Sequence, residues 1–177
     1  MLTPLIETER LFLRRPNGAD TRAALRFFGG RQAPMVSGGF GAGRARRYMT
    51  AFLSQWELRG FGLFAVVPQG STDAIGIAGP WQPSGWPEPE LAWQFWGTQD
   101  NVQSLAVESG LALRDFAQSV LGWNNIVSYI RAEDRAAITL VRQMGAVIDP
   151  MAMIPQDSDC IAFRHPGHAS RTQKRAA

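Results

Sequence analysis

The sequence has 177 residues, of which 45% are hydrophobic and 19% charged, so the chain can bury a full core and fits one domain better than two. No apolar run approaches the roughly 20 residues that span a bilayer, and the N-terminus lacks the basic-then-apolar order of a secretory signal, which predicts a cytoplasmic protein with no membrane partner. A single cysteine, Cys160, excludes an internal disulfide.

The net charge of +3 comes from the terminal RTQKRAA, which holds three basic residues and no acidic one. The rest of the chain is therefore neutral, and the clustered basic face that binds nucleic acid is not expected. We predict a single domain over residues 1–166 and a basic, disordered tail over residues 167–177.

The first half of the chain begins with TERLFLRRP, which alternates Leu11 and Leu13 with polar neighbours and predicts a strand. Asn17 or Asp20 is expected to cap a short helix that ends at Gly29 and Gly30. The Gly-rich VSGGFGAG predicts a connecting loop, and residues 44–59 predict an amphipathic helix. Three strand-like runs separated by turn signals then predict an antiparallel meander: FGLFAVV, AIGIAGPW and ELAWQFW.

The second half alternates helices and strands. Residues 102–121 place an apolar stripe on one helical face, and NNIVSYI, rich in β-branched residues, predicts a strand. Asp134 is expected to cap a helix that ends at Gly145, and two weaker strands follow near AVI and CIAFRHP. This order predicts an α+β fold with a mixed sheet and helices on its faces.

Four stretches resemble the GNAT superfamily of N-acetyltransferases, in the branch typified by ribosomal-protein alanine N-acetyltransferases. They are ETERLFLRRP, GFGLFAVV, GIAGPWQPSGWPEPELAW and VLGWNNIVSYIRAEDRAAITLVRQMGA, and the resemblance spans Thr8 to Pro166. It implies a central, mostly antiparallel sheet that splays between its fourth and fifth strands, with helices on both faces. It also implies direct acetyl transfer from acetyl-CoA to a primary amine, on a small molecule or a protein N-terminus.

The resemblance implies where acetyl-CoA binds. The pantetheine pairs with the backbone of the fourth strand, which places Phe95 and Trp96 beside it. The pyrophosphate lies on the N-terminus of the next helix, where free N–H groups and the helix dipole attract an anion. The corresponding residues of this chain are Val102, Gln103, Ser104, Leu105 and Ala106, with Asp134 contributing from the start of the last helix.

This chain departs from the family pattern at that loop. Asn101 and Ser104 stand where Gln or Arg and Gly are expected, and Val102 stands where close relatives have Gly. Asp100 and Gln103 have the spacing of a capping box, which would place a carboxylate on the donors that should bind pyrophosphate. Asp134 is likewise an excellent N-cap, so a purely structural helix start remains the alternative at both places.

Acetyl transfer needs a group that takes the proton of an ammonium. Glu90 is the candidate general base because it opens the fourth strand at the mouth of the acceptor groove; the alternative is a solvated carboxylate. The tyrosine that many members use as the acid is missing, since Val141 stands about there. No metal site is expected, because Pro166 and Gly167 separate His165 from His168 and no third ligand is near.

Trp81 and Trp86 flank a Pro/Gly-rich loop, where exposed apolar side chains would line an acceptor pocket or a homodimer contact. Three hypotheses therefore stay open. The chain is an active acetyltransferase, a catalytically weak relative that binds another ligand, or an interaction module that dimerises. The sequence does not identify the acceptor amine.

Overall fold

The computed structural model describes residues 4–29, 42–96, 102–156 and 158–167. The strands are β1 (Ile6–Glu7), β2 (Leu11–Arg14), β3 (Phe64–Pro68), β4 (Gly76–Trp81), β5 (Glu90–Phe95), β6 (Val127–Arg131), β7 (Val147–Ile148) and β8 (Cys160–Arg164). The helices are α1 (Gly18–Gly29), α2 (Ala42–Arg59), α3 (Val102–Ser119) and α4 (Arg135–Gln143). The short β1 was not predicted, and most of the predicted Gly-rich loop lies outside the described residues.

In these described ranges the strands form one sheet in the order β1-β2-β3-β4-β5-β6-β8-β7. The pairs β1–β2, β2–β3, β3–β4, β6–β8 and β7–β8 are antiparallel, whereas β5 and β6 are parallel. The predicted mixed, mostly antiparallel sheet is therefore confirmed. Among the helices described, none is both long and apolar enough to cross a membrane.

The chain divides into two compact units, the first of which comprises Met1–Ala78 and Trp93–Val102. Leu11 and Leu13 of β2 are fully buried, as their alternation predicted, and Leu13 lies opposite Val66 of β3. Trp56 of α2 packs edge-on against Phe64 with ring centroids 5.0 Å apart. Its indole N–H donates to the carbonyl of Leu63 at 2.8 Å, so the helix is joined to the start of β3 by a directional bond as well as by apolar contact.

The start of α1 is a reciprocal cap. The side-chain oxygen of Asn17 accepts from the N–H of Ala19 at 2.8 Å, and the carboxylate of Asp20 accepts from the N–H of Asn17 at 2.8 Å. Asp20 also forms an ion pair with Arg14 of β2 at 2.6 Å. Both residues predicted as alternative caps are therefore used, and the cap fixes α1 to the neighbouring strand.

The second unit comprises Gly79–Ala92 and Gln103–Ala177. The buried stripe of α3 includes Leu105, Ser109 and Leu113, as predicted, whereas Val120 is 66% exposed and follows the helix end. A Cβ atom at Gly110 would lie 2.3 Å from the sulfur of Met144, so glycine allows close approach there. The buried Arg114 donates to the carbonyl of Met144 at 2.5 Å, which satisfies an acceptor at the C-terminal end of α4.

Candidate active site

The parallel pairing of β5 with β6 is limited to one residue pair, Glu90 with Val127. The N–H of Val127 donates to the carbonyl of Pro89 at 3.0 Å. Because parallel ladders repeat evenly, the N–H of Tyr129 would next donate to the carbonyl of Leu91. Instead, that carbonyl accepts from the hydroxyl of Ser128 at 2.6 Å, and the N–H of Tyr129 donates to the carboxylate of Glu90. The side chains of Ser128 and Glu90 thus take the place of the next backbone bond of the ladder.

Glu90 is a buried carboxylate, with 8% of its surface exposed. Burial raises its pKa to about 8, because the charged form is poorly solvated there. Two hydrogen bonds oppose this shift by favouring the ionised form: the indole N–H of Trp86 donates to Oε2 at 2.8 Å, and the N–H of Tyr129 donates to the same carboxylate. Glu90 therefore exchanges its proton near pH 8 and not near pH 4.

Trp86 and Tyr129 form an aromatic pair beside this carboxylate. Their ring centroids are 6.0 Å apart and their planes meet at 79°, which is an edge-to-face contact. The phenol of Tyr129 donates to the carbonyl of Met153 at 2.7 Å. Burial, followed by the negative charges of Glu88 and Glu90, raises the pKa of Tyr129. The phenol therefore stays protonated and bonded to the backbone.

An ion-pair network fixes the segment that leads into β5. Arg164 of β8 contacts Glu88 at 2.5 Å and Asp149 at 2.8 Å, and these side chains are only 14–24% exposed. Glu88 also accepts from the N–H of Met153 at 3.0 Å. The bond to Arg164 lowers the pKa of Asp149.

Ser128 also determines the protonation of His165. Because its hydroxyl donates to Leu91, it must accept from Nε2 of His165, which lies 2.9 Å away. Nε2 therefore carries the hydrogen and Nδ1 is a buried lone pair with no partner among the described residues. Burial and then the positive charge of Arg114 lower the pKa of His165 to about 3. His165 is a neutral structural group and not a proton-transfer candidate near pH 7.

Comparison with known proteins determines the family. Residues 10–147 match the family model described as Acetyltransferase (GNAT) domain. The chain belongs to the GNAT acetyltransferase family. Membership implies acetyl transfer from an acyl-CoA. No curated protein matches the chain significantly.

Solved structures share this GNAT fold over most of both chains. An acetyltransferase from Agrobacterium tumefaciens str. C58 is 26% identical, with a TM-score of 0.83 over 93% of this chain and 95% of that one. The aminoglycoside acetyltransferase AAC(6')-Ib in complex with coenzyme A is 10% identical, with a TM-score of 0.71 over 92% and 98%. The ribosomal-protein acetyltransferase RimL in complex with coenzyme A is 11% identical, with a TM-score of 0.66 over 93% and 98%.

In GNAT terms, β5 and β6 are the fourth and fifth strands, since the short β1 precedes the family's first strand. The predicted backbone contacts to pantetheine fall on Phe95 and Trp96. The N–H of Trp96 donates to the carbonyl of Ile75, and its indole N–H donates to the carbonyl of Ala74, both at 2.9 Å or less. Because backbone groups alternate along a strand, those of Phe95 face away from β4, and the contact with pantetheine stays a prediction for both residues.

The predicted pyrophosphate-binding residues begin α3. Val102 is its first helical residue, Gln103 and Ser104 are exposed, and Leu105 and Ala106 are buried. Leu105 and Ala106 can therefore offer only backbone groups to a ligand, whereas Ser104 can also offer its hydroxyl. Asp100 and Asn101 lie outside the described residues, so the predicted capping box and eroded loop stay predictions.

Asp134 is the N-cap of α4, as predicted. Its carboxylate accepts from the N–H of Ala137 at 2.9 Å. The contact with acetyl-CoA that the resemblance implied for Asp134 stays a prediction. In the part of the chain described, no group of three His, Cys, Asp or Glu residues could hold a metal ion, and His168 lies outside it.

Sequence reasoning placed Glu90 at the start of its strand but did not find its partners. Trp81, expected to be exposed, is 9% exposed, and Trp86 is half-buried with its indole bonded to Glu90. The roles of Ser128, His165 and Arg164 were also missed. A polar Ser128 within the otherwise apolar IVSYI was the available signal for a buried hydrogen bond.

Proposed function

We propose that this protein transfers an acetyl group from acetyl-CoA to a primary amine by direct attack in a ternary complex, with Glu90 as the general base. The observation that carries the proposal is a buried carboxylate that exchanges its proton near pH 8, held by Trp86 and the N–H of Tyr129. Family membership supplies the acyl-CoA chemistry. The acceptor is a small molecule or a protein N-terminus.

The reaction needs a neutral amine. Ionised Glu90 removes one proton from the ammonium, directly or through a water molecule, and the nitrogen then attacks the thioester carbonyl. Collapse of the tetrahedral intermediate breaks the carbon–sulfur bond and releases the thiolate of CoA, while the second proton of the attacking nitrogen passes to solvent. Backbone N–H groups of the fourth strand stabilise the oxyanion in the family that this chain resembles.

The leaving thiolate takes its proton from solvent in this proposal. Val141 is buried where many members have an acidic tyrosine, and the phenol of Tyr129 already donates to Met153. An unperturbed thiol has a pKa of about 8.5. In the pH range in which Glu90 is ionised, the thiolate of CoA can therefore leave without a side chain that donates a proton to it.

The pKa of Glu90 favours an acceptor of the α-amino class. An α-amino group has a pKa of about 8, so its proton moves to Glu90 at almost no free-energy cost. A lysine side chain, with a pKa of about 10.4, makes the same transfer uphill by about 3 kcal/mol. We therefore propose N-terminal peptides or small amines of similar basicity as the acceptors.

Acetyl transfer by wild-type protein and by Glu90→Gln, measured from pH 6 to 10 on a short peptide with a free N-terminus, tests the proposal. We expect kcat/KM of the wild type to rise to a plateau above about pH 8, and Glu90→Gln to lose at least about 100-fold. Glu133→Gln is the matched control, because Glu133 is an exposed carboxylate paired with Arg131. A wild-type rate and pH profile in Glu90→Gln contradicts the assignment of the base.

The competing hypothesis is a catalytically weak or inactive GNAT protein that binds another ligand or a protein partner. The sequence departures at Val102 and Ser104 favour it, since they remove glycines from the loop. Calorimetric titration separates the two hypotheses. Heat of binding with acetyl-CoA supports the enzyme, and no heat at millimolar acetyl-CoA supports the competing hypothesis.

A further inference from the structure

We propose that Trp86 is a positioning residue that holds the Glu90 carboxylate through its indole N–H and sets the pH at which Glu90 can act. The catalytic meaning of this inference rests on the proposed function. The effect of Trp86 on the Glu90 carboxylate does not depend on that function, because both residues lie within one compact unit of the chain.

The loop before β5 is built to present this indole. The N–H of Trp86 donates to the carbonyl of Pro83 at 3.1 Å, and Gly85 has a φ of 78°. A bond from the fourth residue to the first, with a left-handed glycine at the third position, is the pattern of a type II turn. The backbone of Trp86 is therefore fixed by a turn that a non-glycine residue at position 85 would strain.

The ring of Trp86 is fixed a second time, from β6. Its edge-to-face contact with Tyr129 restrains the indole plane, and Tyr129 is itself bonded through its phenol to Met153. The indole N–H then reaches Oε2 of Glu90 at 2.8 Å, which is a normal length for this bond. A side chain restrained at its backbone and at its ring gives the carboxylate a fixed donor.

The two hydrogen-bond donors to Glu90 differ in whether a side-chain substitution can remove them. The N–H of Tyr129 belongs to the backbone of β6, so no side-chain substitution removes it. The indole N–H of Trp86 can be removed while an aromatic ring is kept. Loss of one donor to an ionised carboxylate disfavours the charged form, so the pKa of Glu90 must rise.

The other titratable groups of this environment do not obscure the titration. Burial raises the pKa of the Cys160 thiol on β8, and the pKa of Tyr129 on β6 is raised as well. Arg164 of β8 is held in its charged form by Glu88 and Asp149. In a sample labelled at its glutamate carboxyls, the signal that belongs to Glu90 is the one that is lost in Glu90→Gln.

The variant Trp86→Phe tests the inference, with ¹³C NMR of labelled glutamate carboxyls as the direct measurement and Glu90→Gln to assign the signal. We expect the midpoint of the Glu90 titration to move up by about one pH unit. If the protein is an active enzyme, the acidic limb of its pH profile of kcat/KM moves up by the same amount. The value of kcat/KM for Trp86→Phe then falls about tenfold at pH 7.5 and recovers above pH 9.5. The KM for acetyl-CoA stays unchanged.

Trp123→Phe is the matched control, because Trp123 follows α3 in the same unit and is not one of the two donors to Glu90. It should leave the midpoint unchanged. An unmoved Glu90 midpoint in folded Trp86→Phe overturns the inference, as does a uniform loss of rate at every pH. Because the NMR titration needs no turnover, a wild-type protein without activity refutes the proposed function and leaves this test intact.

Discussion

The backbone N–H of Tyr129 donates to the carboxylate of Glu90, where a continuous parallel ladder would bond it to the carbonyl of Leu91. The N–H that would continue the ladder therefore bonds to the candidate base instead. The carbonyl of Leu91 keeps a partner because the hydroxyl of Ser128 reaches it at 2.6 Å. The separation of β5 from β6 thus leaves neither of these backbone groups unsatisfied.

The pKa of Glu90 predicts a pH-dependent contribution to stability. Its pKa is raised from 4.5 in the unfolded chain to about 8 in the fold, so the folded state binds the proton more tightly. This contribution is fully present below pH 4.5 and is lost as the pH rises to 8, by at most about 1.4 kcal/mol per pH unit. Urea denaturation at pH 5, 6.5 and 8 should show Glu90→Gln gaining on the wild type as the pH rises. A constant difference would contradict the shift.

Ser128→Ala should lower the free energy of unfolding by about 2–4 kcal/mol. The substitution leaves the carbonyl of Leu91 and the Nε2–H of His165 without their shared partner in a buried site. Ser119→Ala is the control, because that hydroxyl bonds within an exposed helix turn, to the carbonyl of Asp115. We expect it to change stability by less than about 0.5 kcal/mol. Equal effects of the two variants would refute the role given to Ser128.

Gly76→Ala should destabilise the protein by about 1–3 kcal/mol. The added Cβ would lie 2.5 Å from a ring carbon of Phe95 and 2.7 Å from the carbonyl oxygen of Gln94, and a backbone oxygen cannot move aside easily. Gly18→Ala serves for comparison, since its Cβ meets its nearest neighbour at an ordinary 3.5 Å. Thermal unfolding of both variants measures the difference, and an unchanged melting temperature for Gly76→Ala would show that the sheet relaxes.

Asp134 offers a test that separates a cap from a ligand contact. Asp134→Ala removes the bond to the N–H of Ala137 and should cost about 1 kcal/mol of stability. Asp134→Asn keeps the cap and removes only the charge, so its stability should stay within a few tenths of a kcal/mol. If the carboxylate of Asp134 lies close to the phosphates of acetyl-CoA, the Asn substitution removes a charge repulsion, and Asp134→Asn binds acetyl-CoA more tightly at low salt. An unchanged Kd assigns Asp134 to the helix alone.

Local signals in the sequence were sufficient to predict the helices and every described strand except the short β1. Asn17 and Asp20 lie three residues apart and cap α1, and Asp134 caps α4, because capping depends on atoms within one helical turn. The alternation of Leu11 and Leu13 gave the buried face of β2 for the same reason. The resemblance to GNAT acetyltransferases added a mostly antiparallel sheet that splays between its fourth and fifth strands, and Glu90 opens the fourth.

The long-range contacts around Glu90 required the tertiary structure. Ser128 lies 37 residues from both Leu91 and His165, and Arg164 lies 76 residues from Glu88. Nothing local to either residue of such a pair identifies the other. The sequence by itself determined the helices, the strands other than the short β1, and a carboxylate at a strand start. Only the register of Glu90 with Val127 decided that this carboxylate is buried, bonded to Trp86 and Tyr129 and protonated near neutral pH, because solvation and hydrogen bonding depend on which chain segments lie side by side.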